Sequence, residues 1–83
     1  MSEAGHDLHA EFPGDEAILH QMKTQGGHFH HVSEQYHEIA REIARIETGV
    51  EAASDERLEV LKKKRLLLLD EVAGMIAARK QAV

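Results

Sequence analysis

The sequence predicts an all-α fold: a short N-terminal helix, then an antiparallel, coiled-coil-like two-helix hairpin that assembles into a homo-oligomeric helical bundle. Three observations predict it. Phe29, Val32, Tyr36, Ile39, Ile43, Ile46 and Val50 are separated by gaps of alternately three and four residues, which is an unbroken heptad seam. A second seam, Leu58, Leu61, Arg65, Leu68, Val72 and Met75, is apolar at every position but Arg65. The composition also suits long helices, with 30% charged residues, only 4% aromatics and no Trp.

Residues 1–11 carry Gly5, two histidines and three acids and read as a flexible tail ahead of a single domain, 12–83. Pro13 suits the first turn of a helix, where its missing N–H costs nothing, and Asp15 and Glu16 complement the positive end of the helix dipole. A first helix is expected over about 15–25, with Ile18, Leu19 and Met22 as its apolar stripe. Gly26-Gly27 interrupts it, since two glycines inside a helix cost about 2 kcal/mol relative to alanine. The heptad phase nevertheless runs through the gap, so the glycines are compatible with either a break or a bend.

The second helix is expected over about 28–48, with Gly49 as its C-terminal cap. The short loop that follows favours an antiparallel return. Ser54 is a suitable N-cap, Asp55 and Glu56 fill the next turn, and Arg79 and Lys80 stand near the negative end of a third helix over about 55–80. The two long helices would measure about 30 and 39 Å at 1.5 Å per residue. The two seams cover each other. Four successive leucines nonetheless encircle a helix at 100° per residue, so Leu66, Leu67, Leu69 and Ile76 are expected to remain as a surface for another chain. Two hairpins closing into a dimer, or a tetramer of the same kind, is the simplest solution.

Charge and composition exclude several classes. The formal net charge is −5, and no cysteine is present for disulfides or thiolate metal sites. The first 48 residues hold nine acids and three bases, the remainder six acids and seven bases, an asymmetry that favours the two halves packing together. The polar, acidic start is unlike a signal peptide and the longest apolar run, Leu66–Leu69, is too short to span a membrane, so a cytoplasmic protein without membrane contact is expected.

Phe12-Pro13, Lys23, His28-Phe29, Tyr36, Ile39 and Ile43-Ala44-Arg45-Ile46-Glu47, followed by Leu61-Lys62-Lys63, Arg65-Leu66, Leu68 and Asp70-Glu71-Val72, resemble the small bacterial YdcH-like proteins, a domain-of-unknown-function family. The resemblance covers residues 12 to about 77. It implies a self-associating helical hairpin and no known activity, so it transfers no functional residue. Gly26-Gly27 stands where that family usually has Asn-Pro or Asp-Pro, and Leu69 where it tends to have lysine.

Three constellations could carry chemistry. His28 and His31 have the i, i+3 spacing of a chelating pair for a divalent cation, repeated by His6 and His9, but a site needs three or four convergent ligands. Glu34 and His37 form a Glu-x-x-His pair like those of di-iron bundles, yet heptad phase places both outward. Lys62-Lys63-Lys64-Arg65 could meet phosphates, but rotation disperses the quartet and the acidic second helix is a nearer partner. Tyr36 belongs to the seam. No catalytic arrangement, cofactor loop or inward carboxylate pair is present. The expected function is therefore non-catalytic: a self-associating interaction or structural module. A weak nucleic-acid-associated protein using residues 62–65 is the second reading and a histidine-based metal binder the third.

Overall fold

The protein is all-helical. The computed structural model describes residues 8–81, and among these there is no β-strand. A helical turn occupies residues 8–11. Three helices follow: α1, Glu16–Gln25; α2, His28–Glu47; and α3, Asp55–Gln81. No helix among the described residues is long and apolar enough to cross a membrane.

Local chemistry sets the ends of these helices. Gly26 and Gly27 have φ of 69° and 72° with ψ near −145°, a region that only glycine enters cheaply, and they separate α1 from α2 as a true break. At the far end of α2, Gly49 adopts φ 83° and its N–H donates to the Ile46 carbonyl. The chain then turns back: the N–H groups of Val50 and Glu51 both donate to the Arg45 carbonyl, and the Arg45 guanidinium binds the Glu51 carboxylate at 2.9 Å. Val50, the last residue of the first heptad seam, lies in this turn and is 76% exposed, so the seam ends at Ile46. Ser54 Oγ accepts the Arg57 N–H at 3.0 Å and caps α3.

The two long helices make the most extensive contact of the fold. His28 meets Glu71 at one end and Glu42 meets Arg57 at the other, so α2 and α3 run in opposite directions. Between them Phe29, Val32, Tyr36 and Ile43 from α2 are buried, as are Leu61, Val72 and Ile76 from α3. Ile39, Ile46, Leu58, Leu68 and Met75 are half-buried at the margins of the same seam, together with Arg65.

The N-terminal segment adds a third layer at one end. Leu8, Leu19 and Met22 are buried and pack in one cluster with Phe29, Val32, Tyr36, Val72 and Ile76. Two expectations are corrected here. Residues 8–11 are not a loose tail, because Leu8 is 3% exposed and its carbonyl accepts the Phe12 N–H; residues 1–7 lie outside the described part. Ile76 is not part of an outward surface, because this third layer covers it and leaves it 4% exposed, with Leu69 half-buried against the same cluster. Polar contacts hold the layer from both sides. Lys80 Nζ pairs with the Asp15 carboxylate at 3.0 Å, and Arg79 donates to the Gln25 side-chain oxygen.

Truncating Leu8 to alanine should therefore lower the unfolding free energy by about 2 kcal/mol or more, as for other buried leucines. A free tail would show no change in a urea melt. Gly27→Ala should cost about 1–3 kcal/mol, because the added Cβ meets no neighbour yet the backbone must hold a conformation that alanine disfavours.

Candidate functional site

With the inner side of α3 spent on the core, its remaining apolar surface lies on its outward side. Leu66 is 59% exposed and Leu67 67%, the largest exposed side chains of the helix apart from its charged residues. Val60, one heptad before Leu67 and therefore on the same line of the helix, is 45% exposed. Val60 escaped the sequence reading because it stands alone among Glu59, Leu61 and three lysines. The seven-residue spacing to Leu67 was the available signal. Of the four residues expected on this surface, Leu66 and Leu67 are on it, Leu69 is at its edge, and Ile76 is in the core.

The helix presents this surface because its apolar residues have no single face. Leu61, Leu68 and Val72 fall along one line and meet α2, whereas Leu66 and Leu67 are rotated away by more than 100° to either side. Among the described residues, no neighbouring element reaches them. Charged residues interleave with the leucines: Lys63 and Asp70 are exposed on the outward line and, among the described residues, neither joins an ion pair.

The basic quartet does not act as a unit. Lys62 Nζ binds the Glu47 carboxylate at 2.9 Å, Arg65 is half-buried, and Lys63 and Lys64 point to solvent in different directions. The acidic α2 uses its charge in the same way, with Arg57 bridging to Glu42 at 2.9 Å. Both pairs are partly exposed and worth at most about 1 kcal/mol each.

The expected pair His28 and His31 does not converge on a ligand, whereas His9, His30 and His37 line one cleft with Glu34. His28 Nε2 donates to the Glu71 carboxylate at 2.6 Å, which ties the start of α2 to α3, while His31 is exposed. His30 and Glu34 approach to 3.9 Å on the solvent side. His37 is half-buried rather than outward, edge-on to Tyr36 at 5.6 Å between ring centres. It lines a cleft of about 230 Å³ under the helical turn at residues 8–11, floored by Leu8, Leu19 and Phe29. Among the described residues, no group of three or more potential ligands is placed to hold a metal ion.

A family description, Protein of unknown function (DUF465), matches residues 29–76. The chain belongs to the DUF465 family. The YdcH-like proteins that the sequence resembles are part of it. The matched DUF465 segment runs from Phe29, the first buried residue of α2, through the loop and along α3 as far as Ile76, leaving the last turn of α3 outside it. The helical turn at 8–11 and α1, which cover the open end of the core, precede it. No curated protein and no solved structure matches the chain.

Position on α3 should decide what a charge does. In a dilute sample Leu67→Lys should change the unfolding free energy by less than about 0.5 kcal/mol, while Ile76→Lys should abolish cooperative folding by burying an unpaired ammonium. Thermal melts followed by circular dichroism separate the two.

Proposed function

We propose that this DUF465 protein is a non-catalytic, self-associating interaction module, an antiparallel hairpin that pairs with further copies of itself into a helical bundle. The observation that carries this reading is the adjacent exposure of Leu66 and Leu67 in the middle of a helix whose opposite side is already buried. Each leucine left in water forgoes about 1.5–3 kcal/mol of burial. A chain of 83 residues has little stability to spare, so association through this face would add a substantial fraction of the total.

Light scattering coupled to gel filtration tests it. The expected particle is a dimer or tetramer of the 9.3 kDa chain, with a melting temperature that rises with protein concentration. Leu66→Lys combined with Leu67→Lys should yield a helical monomer. A wild-type chain that is monomeric at high micromolar concentration would refute the proposal.

A further inference from the structure

We infer that the outward face of α3 docks on the same face of a second copy, antiparallel, about a two-fold axis that passes between Leu66 and Leu67. This rests on the self-association proposed above and names its partner and register.

The argument begins with the order of charges along the helix. Lys62, Lys63, Lys64 and Arg65 precede the four leucines, and Asp70 and Glu71 follow them. Lys63 and Asp70 are seven residues apart, so they lie about 10 Å apart on nearly one line of the helix. Leu66 and Leu67 flank that line by about 50° on either side, between the two charges. All four are exposed.

A parallel partner on this face would set Lys63 against Lys63 and Asp70 against Asp70. Like charges in contact are penalised, and here there would be two such contacts. An antiparallel partner reverses this. With the axis between residues 66 and 67, each Lys63 faces the other copy's Asp70, giving two ion pairs related by symmetry. Leu66 then meets its own counterpart on one side of the axis, and Leu67 meets its own on the other. The face is thus self-complementary, as a closed two-fold interface requires.

The position of the axis along the helix supports the same pairing. α3 runs over Asp55–Gln81, so its midpoint is close to Leu68. Residues 55–78 of one copy would lie along 78–55 of the other, about 36 Å of shared length at 1.5 Å per residue. Beyond the leucines on this side come Ala73, Gly74 and Ala77, all exposed and none bulky enough to hold the helices apart.

Charge exchange and cross-linking test the register, and sedimentation equilibrium reads the affinity. Lys63→Asp should raise the dimer dissociation constant about tenfold or more by placing two acids opposite each other in each half of the interface. Asp70→Lys should do the same, and the double exchange should return the constant to within about threefold of wild type. All three chains should keep the helical content of the parent, since neither residue contacts the core. The chain has no cysteine, so single ones can be introduced cleanly. Leu67→Cys should form a disulfide-linked dimer on mild oxidation, because the two positions sit across the axis within bonding reach. Val60→Cys should not, because the antiparallel arrangement separates the two copies of residue 60 by about 20 Å along the helices. A dimer in which Val60→Cys links as readily as Leu67→Cys, or in which the double exchange fails to restore affinity, overturns the register and leaves self-association standing. A monomeric wild-type chain overturns both.

Discussion

Four leucines in succession cannot share one side of a helix. At 100° per residue Leu66–Leu69 sweep most of the way round α3, and two helices packed side by side bury only part of that circumference. Leu68 goes into the contact with α2, Leu69 goes to its edge, and Leu66 and Leu67 face water. Much of the rest follows from this division. The inner residues recruit α2 through a heptad seam. Among the described residues, no element of the same chain covers the outer pair.

The third layer solves a different problem. A bare helix pair leaves its open end to water, and here that end contains Phe29, Val72 and Ile76. Leu19 and Met22 of α1, with Leu8 from the preceding turn, close it. The glycine pair makes this possible. A continuous helix through residues 26 and 27 would carry α1 away from α3, whereas two residues at positive φ turn the chain back so that Asp15 and Gln25 reach Lys80 and Arg79. Since the family match begins at Phe29, this closure is built from residues that precede it.

Electrostatics in the molecule serve alignment more than strength. The pairs His28–Glu71, Glu42–Arg57 and Glu47–Lys62 each join acidic α2 or its partner helix across the same seam. All are partly exposed, so none contributes much alone. Together they disfavour the alternative direction of packing, and they consume several of the charges that might otherwise suggest a phosphate-binding or metal-binding surface. Lys63 and Asp70 are left over on the outward line of α3, beside the two exposed leucines.

The sequence by itself determined the helical class, the heptad seam as far as Ile46 with its counterpart on α3, and the turn between the two long helices, while it left Gly26-Gly27 open between a break and a bend. Each of these depends on local chemistry: period, capping by Ser54, and Gly49 at the end of α2. It also marked Leu66 and Leu67 as surplus, because a run of leucines overfills any single helix face. The tertiary structure alone decided which of the remaining apolar residues stay surplus. Ile76 and Leu8 were indistinguishable from exposed residues in one dimension, since nothing in their own neighbourhoods records that a segment more than fifty residues away returns to cover Ile76. Burial there is a property of the packed layers, set by how Gly26 and Gly27 aim α1, and periodicity carries no information about that direction.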